Sequence, residues 1–203
     1  MVLAKLFGTK SDREVKKLRP SIDRINQLFE SLSSKTDEDL VNRTNELKEF
    51  VINARNEKEN SLSSEMDKQQ RSNEILKAEQ GALGLIMEEA FATSEEAKVH
   101  PALCHLYCHA LELSPFPERA LPAADVLRTR MPGLGHLVHM PSHIDAWVGQ
   151  WKEAIECNIA AVEADDRYVE ITGNESQFYK FYRMHNHHFI VWCAMFDGQY
   201  ETA

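Results

Sequence analysis

The first 97 residues contain no histidine, cysteine, tryptophan or tyrosine, although the 203-residue chain has nine, four, three and five of these residues. All of them follow Ala97. A single domain rarely separates its aromatic and metal-ligating side chains so completely. The composition therefore predicts two segments of different origin, residues 1–97 and 98–203, joined near Ala97–His100.

Several other features are missing, and each absence excludes a class of protein. No run approaches the roughly 18 apolar residues of a membrane span, and no cleavage site follows the short apolar start. The net charge of −9 opposes nucleic-acid binding by the whole chain. The cysteines have no CxxC or zinc-ribbon spacing. We therefore expect a cytoplasmic protein with no nucleic-acid partner.

No alternating apolar pattern predicts a strand, whereas helical patterns recur through the first segment. Val15, Leu18, Ile22, Ile25 and Phe29 follow one another at spacings of three and four. Thr36-Asp37-Glu38-Asp39 has the composition of a helix start. Residues 56–72 are polar and predict an exposed helix or a linker. The sequence thus indicates an all-α fold that begins with a helical arm.

Several short motifs lie in order along residues 1–97. They are Leu6-Phe7-Gly8, Asp12-Arg13, Lys16-Lys17-Leu18-Arg19, Thr36-Asp37-Glu38-Asp39-Leu40, Arg43-Thr44, Phe50, Glu89-Ala90-Phe91-Ala92-Thr93 and Glu96-Ala97. In this order they resemble the N-terminus of SecA, the bacterial preprotein translocase ATPase. The resemblance implies a protein-export role in which the N-terminus contacts anionic lipid or the SecY channel, peripherally at the inner face of the plasma membrane. The contact residues it implies are Leu3, Lys5, Leu6, Phe7, Lys10, Lys16 and Lys17. An excess of basic residues over residues 1–24 is compatible with that contact.

The chain departs from SecA in lacking the phosphate loop G-x-x-x-x-G-K-[ST]. Without a loop that wraps the phosphates, this chain has no machinery for ATP hydrolysis of that kind. We therefore expect a non-catalytic chain. Two alternatives stay open: a fragment of the ATP-driven translocase, and an amphipathic helical arm with no retained membrane contact.

Internal repetition characterises residues 98–203. Ala120 and Ala154 are 34 residues apart, the tetratricopeptide-repeat period. Offsets of 4 and 7 give Ala124 and Leu127 in the first repeat, and Asn158 and Ala161 in the second. Gly149-Gln150-Trp151 and Gly198-Gln199-Tyr200 repeat a turn. This segment resembles a histidine-rich branch of tetratricopeptide-repeat proteins, which implies helical hairpins that bind a protein or peptide partner. The sequence stops where a second helix is expected, which favours a truncated or fused product as a further alternative.

Two sets of side chains are candidates for binding. The histidines have spacings that place several on shared helix faces, where imidazoles can bind one divalent metal ion. The metal candidates are His105, His109, His136, His139, His143, His185, His187 and His188. Against a metal, Pro141 interrupts the middle set and no acidic partner set is evident, so hydrogen bonding in a repeat core is the alternative. The peptide-groove candidates are Tyr179, Tyr182, Arg183 and Trp192, which core packing would also explain.

Overall fold

The computed structural model describes residues 35–173 and 176–203, together with Asp23 and Gln27, which are helical. Within these residues the regular structure is helical and no β-strand occurs, which confirms the predicted all-α class. None of the described helices is both long enough and apolar enough to cross a bilayer. In chain order they are α1 (Asp37–Ser61), α2 (Lys68–Phe91), α3 (Glu95–Lys98), α4 (Pro101–Leu111), α5 (Leu121–Arg130), α6 (Gly135–His139), α7 (Pro141–Val148), α8 (Trp151–Thr172) and α9 (Gln177–Asp197), with a 3₁₀ turn at Pro117–Ala120.

The chain divides into two compact units, Met1–Glu49 and Phe50–Ala203. In the first unit, a capping box begins α1. The Asp39 backbone N–H donates to Thr36 Oγ1 at 3.1 Å, and the Thr36 N–H donates to Asp39 Oδ2 at 2.9 Å. These reciprocal bonds satisfy amides that the first helical turn leaves free, and they confirm the predicted helix start. The predicted stripe from Val15 to Phe29 lies outside the described residues.

In the second unit, the end of α1 pairs with α2 through ion pairs. Lys58 Nζ lies 2.9 Å from Glu74 Oε2, and Arg55 Nη1 lies 3.2 Å from Glu79 Oε1. The earlier residue on α1, Arg55, pairs with the later residue on α2, Glu79. This part of α1 therefore runs antiparallel to α2. The segment 56–72 is thus helical except at residues 62–67, which corresponds to the exposed-helix alternative rather than to a continuous linker.

Helix α2 packs against α4, across the predicted junction at Ala97. The Tyr107 hydroxyl donates to Glu88 Oε1 at 2.5 Å, and the Phe91 and Tyr107 rings meet edge to face at 5.0 Å. Gly84 approaches Leu111 so closely that a β-carbon at Gly84 would collide with the leucine side chain. The boundary between the compact units, after Glu49, therefore differs from the boundary in composition near Ala97. The different origin of the two segments stays a prediction.

The positions predicted to repeat are buried in the core of the C-terminal helices. Ala120, Ala124 and Leu127 are fully buried, and so are the residues 34 positions later, Ala154, Asn158 and Ala161. Alanine at four of these six positions lets neighbouring helices approach closely. Gly149 follows α7 with φ of 80°, a conformation that glycine adopts without strain and that ends the helix before α8. The repeated positions thus lie in the core, and the tetratricopeptide resemblance itself stays a prediction.

A buried ion pair joins the C-terminal helices. The Arg128 guanidinium donates to both carboxylate oxygens of Asp145, at 3.0 and 2.6 Å, and to Cys157 Sγ at 2.8 Å. Asp145 is fully buried. Burial raises the pKa of Asp145 and the contact with Arg128 opposes that rise. The bidentate contact fixes α5 against α7, because Arg128 lies on α5 and Asp145 lies on α7.

Candidate functional site

Six histidines from four helices converge in the second unit. They form two triads, and within each triad the nearest ring nitrogens of the three residues lie within 4.8 Å of one another. Triad A is His105, His109 and His136, and triad B is His139, His143 and His185. Histidines that only shared a face of one helix would not bring imidazoles from separate helices this close together.

Local structure explains how each helix contributes. His105 and His109 are one turn apart on α4, so they share a face. Pro141 ends the backbone bonding of α6 and begins α7, since proline fits the first turn of a helix. His139 and His143 keep one-turn spacing across this break, and their Nε2 atoms lie 2.8 Å apart. Pro141, which the sequence analysis counted against a metal site, is therefore compatible with one.

A carboxylate joins the two triads. Glu112 Oε1 accepts from His109 Nδ1 at 2.8 Å, and Glu112 Oε2 lies 2.5 Å from His143 Nδ1. Burial acts to raise the pKa of Glu112, but the hydrogen bonds from the two histidines outweigh burial and lower this pKa to about 2. Glu112 is therefore a carboxylate at neutral pH and can only accept hydrogen bonds.

His139 lies deepest in the cluster and has a fixed partner. Its Nδ1 lies 2.6 Å from Asn158 Oδ1, and the Asn158 amide nitrogen donates to the Ala154 carbonyl oxygen at 2.8 Å. Burial and the neighbouring His143 lower the pKa of His139 to about 3, although the bond to Asn158 opposes the shift. His139 is therefore neutral at pH 7, and neutral imidazole is the form that ligates metals.

Triad A has a looser arrangement. His105 Nε2 and His136 Nε2 lie 3.1 Å apart, while His136 Nδ1 is buried and has no hydrogen-bond partner in the described structure. Burial and neighbouring histidines lower the pKa of His136 to about 4. The edge of the Tyr182 ring meets the His136 ring at a centroid distance of 5.0 Å.

The structure brings together six of the eight predicted metal candidates. His187 and His188 are exposed and belong to neither triad. Successive residues turn about 100° around a helix, so His187, two positions after His185, points to the opposite side of α9. His188, three positions after His185, lies about 60° from it around the helix, but its side chain is exposed. The predicted set is thereby narrowed to triads A and B.

The peptide-groove candidates occupy separate places on α9. Tyr179 and Tyr182 line a cavity of about 410 Å³ together with Leu134 and His136. Arg183 forms an ion pair with Asp166. Trp192 lies about 20 Å along the helix from Tyr179, where it contacts Trp151 and Phe196. The groove stays a prediction, and only the two tyrosines share a concave surface.

Glu112 and Asn158 were missed by the sequence analysis, although each had a signal. Glu112 follows His109 by three residues, which places the two on one helix face. Asn158 occupies the repeat position where Ala124 stands in the preceding repeat. A polar residue at a core repeat position indicates a specific hydrogen-bond partner.

Comparison with known proteins finds SecA subunits that match part of the chain. The chain is 42% identical over 69 residues to the protein translocase subunit SecA of Prosthecochloris aestuarii, covering 32% of this chain and 7% of that protein. It is 38% identical over 94 residues to the SecA of Chloroherpeton thalassium, covering 46% and 8%. It is 48% identical over 48 residues to the SecA of Bdellovibrio bacteriovorus, covering 24% and 5%. The chain contains a SecA-like segment.

The SecA-like segment confirms the first resemblance and leaves the second as a prediction. The chain spans less than a tenth of the length of each of these SecA proteins. The 94-residue match is close in length to residues 1–97. No family model and no solved structure matches the chain, so the tetratricopeptide-like interpretation of residues 98–203 rests on their repeated burial pattern.

Proposed function

We propose that the chain is a non-catalytic protein-interaction module that acts in SecA-related protein export. The proposal rests on the SecA-like segment, which is 38–48% identical to subunits named as protein translocases. Those relatives are much longer than the matched segments, and this chain has no phosphate loop. A role in binding an export partner, without driving transport, therefore fits the residues best.

An exposed apolar surface at the end of α9 supports partner binding. Met195, Phe196 and Tyr200 are 68%, 60% and 84% exposed. The Phe196 ring stacks on Trp151 at 4.9 Å and contacts Trp192 at 5.6 Å, so this aromatic surface is continuous. Exposed apolar patches of this kind mark sites of protein interaction more often than isolated apolar residues do. Tyr179, Tyr182 and Arg183 lie near the other end of α9 and would form a separate contact.

The SecA-like N-terminus would supply the location. Its proposed contact residues lie outside the described residues, so the argument for them comes from sequence. Residues 1–24 carry seven Lys or Arg against three Asp or Glu, whereas the whole chain is acidic. A basic segment is attracted to an anionic lipid surface by about 1 kcal/mol for each Lys or Arg near it. We propose peripheral binding at the inner face of the plasma membrane, next to the SecY channel.

Vesicle flotation of the full chain tests both parts of the proposal. One arm uses vesicles of anionic phospholipid, and the second uses the same vesicles containing the SecY channel. We expect binding in the first arm and stronger binding in the second. Replacing four N-terminal lysines with glutamine should weaken binding in both arms, whereas the same change at four other lysines should not. The two sets are Lys5, Lys10, Lys16 and Lys17, and Lys35, Lys48, Lys68 and Lys152.

The aromatic surface predicts a separate effect in the same assay. Phe196→Ser should remove the additional binding that the channel provides and leave lipid binding unchanged. The matched control is Ile171→Ser, since Ile171 is also a highly exposed apolar residue but lies outside this surface. If the channel adds no binding beyond lipid alone, the proposed interaction with the export channel is wrong.

A further inference from the structure

The two inner histidines of triad B each have an oxygen acceptor at Nδ1. For His143 the acceptor is the Glu112 carboxylate at 2.5 Å. For His139 it is Asn158 Oδ1 at 2.6 Å. The Asn158 orientation is determined by its own amide nitrogen, which donates to the Ala154 carbonyl. Carboxylate and carbonyl oxygens cannot donate, so each Nδ1 carries the proton.

A proton on Nδ1 leaves Nε2 of a neutral imidazole as a lone pair. The Nε2 atoms of His139 and His143 face each other at 2.8 Å. Two lone pairs at that distance repel, and no hydrogen bond joins them unless one ring takes up a second proton. A cation between the two nitrogens satisfies both lone pairs at once.

We propose that His139, His143 and His185 bind one divalent transition-metal ion of the zinc class through their ring nitrogens. The three ligand atoms already lie within 4.8 Å of one another. Nitrogens around a tetrahedral zinc ion stand about 3.3 Å apart, because each zinc–nitrogen bond is about 2.0–2.1 Å long. Small ring rotations therefore suffice to admit the ion, and Glu112 and Asn158 orient two of the ligands from outside.

The same reasoning places the ion in triad B and not in triad A. His136 Nδ1 is buried and has no hydrogen-bond partner among the described residues, so none of them holds the proton at that atom. The proton can therefore sit on His136 Nε2 and be donated to His105 Nε2 at 3.1 Å. Triad A can satisfy its closest pair with a hydrogen bond, whereas the acceptors around triad B oppose one.

The ligand set also determines the class of ion. Imidazole nitrogens suit zinc, cobalt, nickel and copper, whereas magnesium and calcium prefer oxygen ligands. Three histidines leave one position of a tetrahedral ion for water. Because His185 is partly exposed whereas His139 is fully buried, an ion can enter from the α9 side.

Metal titration of the full chain tests this site. The chelator-treated protein is titrated with Zn²⁺ against a competing dye, and with Co²⁺, whose visible spectrum reports four-coordinate nitrogen ligation. We expect one tight equivalent. His185→Gln should weaken Zn²⁺ binding by at least about 100-fold, and the substitution spares the buried core. The matched control is His187→Gln on the same helix, which should bind as the parent does. Circular dichroism confirms that each variant is folded.

Two outcomes would overturn the assignment. In the first, His185→Gln binds Zn²⁺ as tightly as His187→Gln, or His105→Gln weakens binding as much as His185→Gln, so that the tight ion does not belong to triad B. In the second, nitrogen-15 spectra at pH 7 show His143 protonated on both nitrogens even with excess Zn²⁺. A shared proton, and not a metal ion, would then lie between the rings.

Discussion

His139 and His143 are one turn apart across the Pro141 break, and their Nε2 atoms meet at 2.8 Å. Each ring is held from its other nitrogen by a residue of another part of the fold, Asn158 on α8 or Glu112 directly after α4. The shortest contacts that orient the pair thus come from outside residues 139–143, and within that range Ser142 Oγ lies 3.4 Å from His139 Nδ1. The chemistry of the pair consequently depends on the packing of α4 and α8 against α6 and α7.

Replacing Asn158 tests that dependence. In Asn158→Leu, His139 Nδ1 loses its 2.6 Å acceptor and keeps the longer 3.4 Å contact with Ser142 Oγ, so the proton can move to Nε2 and compete with the metal. We expect Zn²⁺ affinity to fall by about 10- to 100-fold, the usual effect of removing such a partner. Asn158→Asp keeps an oxygen acceptor and should retain affinity. The measurement is competitive Zn²⁺ titration of both folded variants, and equal affinities would contradict the proposed orientation by Asn158.

The sequence predicts helices well where the signals are local. The Thr36–Asp39 box and the glycine at Gly149 determine helix ends through contacts with residues a few positions away, and such contacts can be read from spacing. The 34-residue period likewise predicts the burial of Ala120 and Ala154, because equivalent repeat positions face the same neighbour. These features need no knowledge of how distant helices pack.

The candidate site could be predicted only in part, because it depends on long-range packing. Spacing indicates that His105 and His109 share a face, but it does not show that His185 meets His139 across a separation of 46 positions. Spacing also does not exclude His187, which turns away from the same helix face. The apparent lack of an acidic partner arose because Glu112 is shared between triads, an arrangement that exists only in the folded chain.

The buried Arg128–Asp145 pair predicts a large and asymmetric effect on stability. Arg128→Met removes both hydrogen bonds to Asp145 and leaves a carboxylate buried without a partner. We expect the free energy of unfolding to fall by about 3–5 kcal/mol. Urea denaturation followed by circular dichroism measures the change.

Asp125 provides the control for that prediction, since it bonds to the same guanidinium. Its carboxylate lies 3.0 Å from Arg128 Nε, but its side chain is 69% exposed. Asp125→Ala should therefore cost less than about 1 kcal/mol, as expected for an exposed ion pair. If the two variants lose similar stability, burial of Asp145 is not what makes the Arg128 contact important.

Two neighbouring glycines predict opposite responses to alanine. A methyl group at Gly135 would collide with the Asp165 carboxylate, which is buried and accepts hydrogen bonds from Tyr179 and Asn186. Gly135→Ala should lower the free energy of unfolding by about 1–3 kcal/mol, typical of overpacking. A methyl group at Gly133 meets nothing within 4 Å, so Gly133→Ala should be neutral or slightly stabilising. If urea denaturation shows Gly135→Ala to be as stable as Gly133→Ala and the parent chain, Asp165 moves aside freely and the predicted collision is wrong.

The four cysteines predict a sharp contrast between folded and unfolded reactivity. All four are buried, and burial raises the pKa of Cys108 to about 12 and of Cys193 to about 11. Only the thiolate reacts with iodoacetamide, so the folded chain should remain unmodified at pH 8 and all four thiols should react in denaturant. The folded state favours the neutral thiol, so the raised pKa values contribute to the free energy of unfolding. That contribution is complete below the ordinary thiol pKa of about 8.5. It is then lost as the pH rises towards the raised values. Mass spectrometry counts the adducts, and rapid modification of Cys193 in the folded chain at pH 8 would contradict its burial between α8 and α9.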